Sequence, residues 1–178
     1  MSMWLFHCKK ITPIFAAFSI LITHNGYSQK YFQQQVNYVI DVSLDDNNHE
    51  LRAHETIIYK NNSPNTLNFI YIHLWPNAYK NNSTVLAKQL IAEGNTALYY
   101  SSEEERGYID GLDFKVNEDG VKWELLKDTI DVCKLFLNSP LVSGDSIIIS
   151  TPFKVKLPSA KISRLGHIGQ SYQITQWY

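Results

Sequence analysis

The stretch NYVIDVSLDDNNHELRAHETIIYK, residues 37–60, decides the fold. With Val36 just ahead of it, Tyr38, Ile40, Val42 and Leu44 alternate with polar or smaller residues. A period of two places successive side chains on opposite faces, so this run predicts a half-buried strand. Asp45 to Asn48 read as a turn, because short Asx side chains tolerate left-handed backbone and bond their own main chain. A second run, His49 to Lys60, carries Leu51, Ala53, Glu55, Ile57 and Tyr59 on one parity. The two runs predict an antiparallel hairpin.

The same stretch holds HELRAH, residues 49–54, one residue of spacing away from the zinc-peptidase pattern His-Glu-x-x-His. That pattern needs its histidines four apart on a helix, where both rings share one face. His49 and His54 are five apart, which turns them about 140° around a helix axis or to opposite faces of a strand. Neither geometry brings both rings to one ion. His73 and His167 could join one of them in space, but scattered histidines are a weak signal. No metal site is expected in this chain.

Alternation continues outward. Asn61 to Thr66, with Pro64, predicts a turn, and Leu67 to Trp75 a third strand that Pro76 ends. Ser83 to Glu93 then changes period: Leu86, Leu90 and Ile91 have helical spacing, and Gly94 is placed as a C-terminal cap. This predicts one short helix in a long inter-strand loop, which the charged run Glu103 to Arg106 continues as solvated surface. Leu112, Phe114 and Val116 predict a strand, Asn117 to Gly120 a hairpin loop ending in Asp-Gly, and Val121, Trp123 and Leu125 its return. Asp131 to Leu137 predicts a strand, Ser139 to Asp145 a loop, and Ser146 to Leu157 a long strand with Pro152 at a bulge or edge. The fold class is all-β: a mainly antiparallel saddle-like sheet or β-sandwich of seven or eight strands.

Composition narrows the function. The chain has 178 residues, 44% apolar and 13% aromatic, enough for one cored domain. Sixteen basic residues against 17 acidic leave no basic field, so no nucleic-acid partner is expected. Lys9 and Lys10 precede an apolar run, Ile11 to Ile22, and a short polar stretch ending in small residues near Ser28. That layout predicts a signal peptide over residues 1–28, with the domain beginning at Gln29. The run is too short for a stable membrane span. The exported product would lie in the periplasm, at the outer envelope or outside the cell. Without the leader only Cys133 remains, alternating with Leu135 and Leu137, which reads as a buried small hydrophobe. There is no phosphate loop and no Gly-x-Ser-x-Gly elbow, and Gly166 to Gly169 reads as a flexible turn.

Three passages carry a resemblance: residues 37–79, the excursion HLWPNAYKNNSTVLAKQ, and SRLGHIGQSYQITQWY at residues 163–178. Together they resemble the N-terminal β domain of the aminopeptidase N family of zinc peptidases, in the exported branch of Bacteroidetes-type bacteria. The resemblance implies a saddle-shaped domain that holds no zinc ligand, packs on the catalytic domain of the same protein and shapes one wall of the peptide cleft. The family's Gly-x-Met-Glu-Asn and His-Glu-x-x-His motifs do not occur here, so zinc is implied only for an absent catalytic domain. In the family a Thr-Gln pair near the end of this domain lies beside the substrate's N-terminal end, and Thr175-Gln176 matches it. Two residues on, relatives commonly place Glu or Gln to hold the free amine; here that position is Tyr178. A phenol can accept a hydrogen bond but carries no charge at neutral pH, which puts aminopeptidase specificity in doubt. Gln176 and Tyr178 are thus the substrate-binding candidates the resemblance implies. The alternative for Gln176 is simple alternation with Trp177 in a strand.

The chain stops at Gln176-Trp177-Tyr178, in what reads as a strand, and the expectation is a piece of a longer product. The residues also allow a stand-alone secreted β-sandwich binding glycan or protein. Its contacts would be Tyr71, Trp75, Tyr79, Tyr99, Tyr100 and Trp123, although aromatics in an all-β domain are more often core.

Overall fold

The computed structural model describes residues 31–178, and the leader expected over residues 1–28 lies outside the described residues. Phe32–Tyr178 forms one compact unit. In chain order its strands are β1 (Gln35–Asp45), β2 (Glu50–Lys60), β3 (Leu67–His73), β4 (Tyr108–Asp110), β5 (Lys115–Val116) and β6 (Asp119–Gly120). They continue with β7 (Trp123–Leu125), β8 (Val132–Leu141), β9 (Ser146–Lys156), β10 (Gly166–Ile168) and β11 (Ser171–Gln173). Between β3 and β4 lie a 3-10 turn (Trp75–Tyr79) and one α-helix, α1 (Val85–Ala92). The fold is all-β, and every strand pair is antiparallel.

The quoted stretch folds as its alternation predicts. β1 and β2 pair without a slip: Tyr38 faces Ile57, Ile40 faces Glu55, and Leu44 faces Leu51. The Asp45 carboxylate accepts the backbone N–H groups of Asn47 and Asn48 and the Asn48 amide. These donors hold its carboxyl below the usual range. His49, at φ 53°, completes the reversal.

β2 then pairs with β9 along its whole length. The larger sheet runs β1-β2-β9-β5-β6, with β4 also on β9; a second sheet runs β3-β8-β7; β10 and β11 form a separate hairpin. One core joins the two larger sheets. Leu51, Ile57, Ile149, Phe153 and Val155 come from the larger sheet, and Ile70, Cys133 and Leu135 from the smaller. Cys133 is fully buried, and burial pushes its thiol up to about 11, so it behaves as an apolar side chain.

Several boundaries differ from the sequence expectation for identifiable reasons. The hairpin after β5 turns on Asn117 and Glu118, both at positive φ, while Asp-Gly forms β6 itself. Asn117 is held there because its Oδ1 accepts the Ile148 N–H and its own N–H donates to Ile148. Ser139 and Pro140 lie inside β8, not in a loop, at the register break between Leu67 and Phe69 of β3. β9 is a central strand without a bulge against β2. Pro152 is tolerated because it falls between the segments paired with β5 and β4, where β9 lacks a ladder partner on that side. Pro76 sits within the 3-10 turn after β3 has ended at His73. Gly166 to Gly169 belongs to a hairpin; a Cβ on Gly166 would come within 2.9 Å of the Ala160 backbone, so that approach requires glycine. Residues 174–178 form no strand. Gln176 at φ 51° breaks the alternation and sends Trp177 onto Phe153, with ring centroids 6.0 Å apart.

Two polar devices fasten the unit. Asn61, fully buried at the end of β2, donates to the carbonyls of Asn65 (2.8 Å) and Leu141 (3.0 Å) and accepts from the N–H and hydroxyl of Ser63. It thereby ties the larger sheet to β8 of the smaller. At the opposite end the β10–β11 hairpin is clamped to the β1–β2 turn. His49 and His167 stack at 3.6 Å, His49 Nδ1 lies 2.8 Å from the Tyr172 hydroxyl, and that hydroxyl donates to the Asp46 carbonyl. Burial, and then the neighbouring His49, hold His167 below the ordinary histidine range.

Asn61→Ala removes the amide that bonds the buried Leu141 carbonyl and the buried Ser63 N–H and should cost roughly 3 kcal/mol in chemical denaturation; a loss below about 1 kcal/mol would show that the tie is dispensable. The clamp gives a pH dependence of definite sign. A depressed folded-state His167 favours the fold above the ordinary value of about 6.5 and loses that contribution as pH falls. NMR titration should therefore place His167 below the free-histidine midpoint, and His167→Phe should flatten the fall in Tm between about pH 7 and pH 5.

Candidate functional site

The parity of β2 that buries Leu51 and Ile57 also carries Glu55 to the inner face. Glu55 is only 6% exposed. Its cross-strand neighbours are Ile40 on β1 and Thr151 on β9. Ile40 offers no donor. The Thr151 hydroxyl accepts the Asp113 N–H at 2.9 Å and donates to the Pro152 carbonyl at 2.8 Å. Among the described residues, no hydrogen bond or ion pair reaches the Glu55 carboxylate. Burial raises its carboxyl from 4.5 to about 7.

A cavity of 300 Å³ opens over this carboxylate, between the inner face of the larger sheet and β3. Its walls are aromatic. On one side Tyr38 and Tyr178 pack edge to face, centroids 5.6 Å apart. On the other, His73 and Trp75 stack at 4.4 Å with planes 8° apart. Tyr71 and Ile149 also line it. Burial, then the Glu55 charge and then Tyr178 raise the Tyr38 phenol. The arrangement combines one solvent-shielded carboxylate with several π faces, a chemistry that suits cations.

The two site residues drawn from the sequence separate around Trp75. Tyr178 lines the Glu55 cavity, whereas Gln176 lines a neighbouring hollow with Tyr79, Gln89 and Asp131. Trp75 borders both. Thr175, Gln176 and Tyr178 are solvent-facing. Glu55, the most chemically distinctive residue here, escaped the sequence reading because its parity marked it simply as strand. The available signal was an acidic residue on an otherwise apolar parity.

Among the described residues the histidines lie apart, save for one pair. His54 sits in β2 facing away from the core, and His73 stacks on Trp75. His49 and His167 come together, yet their rings lie nearly parallel, 18° apart, instead of converging on one point. Among the described residues no three His, Cys, Asp or Glu side chains group around a common position. The glutamates of the charged loop have local roles: Glu105 accepts the Ser102 N–H and pairs with Lys161. No protein-family model matches this chain, and no curated protein is matched by it.

An uncompensated carboxylate at Glu55 has a testable cost. With its folded value raised, the site favours the fold when protonated and penalises it as pH rises through about 7. Glu55→Gln should therefore match the wild type near pH 4 and exceed it at pH 8 by on the order of 3 kcal/mol. Urea unfolding at both pH values measures this; equal curves at pH 8 would mean that the charge is compensated.

Proposed function

We propose that residues 29–178 are the non-catalytic N-terminal β domain of an exported zinc metallo-aminopeptidase, packing on the catalytic domain of the same protein and forming one wall of its peptide cleft. The observation that carries this reading is the uncovered inner face of β1. Tyr38, Val42 and Leu44 are 51%, 49% and 44% exposed, on the same face as buried Leu51 and Ile57. An apolar strip continuous with a core is stabilised by about 25 cal/mol for each Å² that a partner covers. The last residues run onto this strip, with Trp177 on Phe153 and Tyr178 on Tyr38. The segment similar to the family's junction with the catalytic domain therefore lies beside the surface a partner would cover.

On this reading Gln176 and Tyr178 meet the N-terminal end of the peptide. The Gln176 amide can donate and accept at once, which suits a peptide backbone. Tyr178 contributes a hydroxyl and a ring face where relatives commonly place Glu or Gln. The domain's contribution to rate is positioning. On this reading zinc belongs to the catalytic domain. A stand-alone secreted module binding glycan or protein is the second reading, favoured by the exposed rings of Tyr71 and Tyr100.

The two readings part on the size of the native protein. An antibody raised against residues 31–178 should detect, in the envelope fraction of the source cell, a species several times larger than 20.5 kDa whose aminopeptidase activity a chelator abolishes. A single species slightly below 20.5 kDa would overturn the domain reading.

A further inference from the structure

The Glu55 cavity carries an inference of its own. We propose that it binds a small organic cation, a primary or quaternary ammonium with an apolar body. Glu55 is only 6% exposed, lines the cavity, and has no hydrogen-bond or ion-pair partner among the described residues. A buried anion in that state is relieved either by a proton or by a counter-cation. The 300 Å³ volume accommodates a ligand of several heavy atoms.

The lining selects the kind of cation. The titratable side chains around the cavity are those of Glu55, Tyr38, Tyr59, Tyr71, His73 and Tyr178, from β1, β2, β3 and the chain end, with no lysine or arginine among them; in the 178-residue chain Tyr178 also bears the terminal α-carboxylate, the second anion that Glu55→Gln leaves in place. One side-chain carboxylate and one imidazole are too few ligands to replace the hydration shell of a divalent ion. An ammonium needs less: one anion, and π faces for the charge that carbon has spread. Trp75, Tyr71 and the Tyr38–Tyr178 pair, all in the lining, supply the rings. Ile57, Ile70 and Ile149 supply an apolar floor for the remainder of the ligand. A neutral sugar would leave the carboxylate uncompensated, and an anion would be repelled by it.

The inference is carried by the Glu55 cavity, whose Tyr38 and Tyr178 the domain reading also uses; the cation titration tests the cavity, and the mass and activity of the native protein test the domain. The full 178-residue chain is titrated at pH 8 with choline, n-butylammonium and the neutral isostere 3,3-dimethylbutanol, followed by NMR shifts of the Trp75 indole and the isoleucine methyls. Both cations should bind at least tenfold more tightly than the isostere, and near pH 5.5 their affinity should fall about thirtyfold as Glu55 takes up a proton. Glu55→Gln should weaken the preference for charge while retaining the native spectrum. Trp75→Leu should weaken the quaternary cation most. Equal binding of cation and isostere would overturn the proposal. So would an unchanged preference in folded Glu55→Gln, or no shifts with any probe up to about 50 mM at pH 8.

Discussion

The structure depends on the double pairing of β2. Eleven residues of this strand pair with β1 on one side and with β9 on the other, in the same register throughout. A slip of one residue would turn Leu51 and Ile57 toward water and Arg52 and His54 toward the core. Apolar alternation forbids that slip from both neighbours at once, since Ile147, Ile149, Phe153 and Val155 on β9 obey the same parity. The smaller sheet, the hairpin β10–β11 and the last residues all pack with reference to this fixed face.

The same constraint creates a costly feature of the core. Glu55 shares the parity of Leu51 and Ile57, so fixing the register necessarily brings a carboxylate inside. Its lateral neighbours cannot solvate it, because Ile40 has no donor and Thr151 has committed its hydroxyl to Asp113 and Pro152. By contrast Asn61, equally buried, satisfies its amide with Asn65, Leu141 and Ser63. The contrast separates two uses of buried polarity. Asn61 is spent on fastening the two sheets, while Glu55 keeps its hydrogen-bonding capacity facing an open cavity.

Much of the architecture was legible in the sequence because period-two alternation is a local property. β1, β2, β3 and β9 lie where alternation puts them, and α1 lies where the period changes, with Thr84 capping its start and Gly94 at φ 82° after its end. The misreadings fall where distant contacts override local chemistry. Asn117 and Glu118 accept positive φ because Ile148 of β9 grips Asn117, so Asp-Gly becomes ladder instead of turn. Pro152 occupies a central strand because the partners on that side happen to part there. Tyr108–Asp110, polar at both ends and only three residues long, becomes a strand solely by pairing with β9.

The sequence by itself determined the all-β class, the β1–β2 hairpin, and the burial of Cys133 beside Leu135. Each follows from spacing along a few consecutive residues. Only the tertiary structure decided that His167 stacks on His49, that Gln176 and Tyr178 part on either side of Trp75, and that Glu55 ends beneath aromatic walls. Those contacts join residues between 16 and 123 positions apart, such as Glu55 with Trp75 or Tyr178. Alternation says which face a side chain takes, but not what another strand or the last few residues bring to that face.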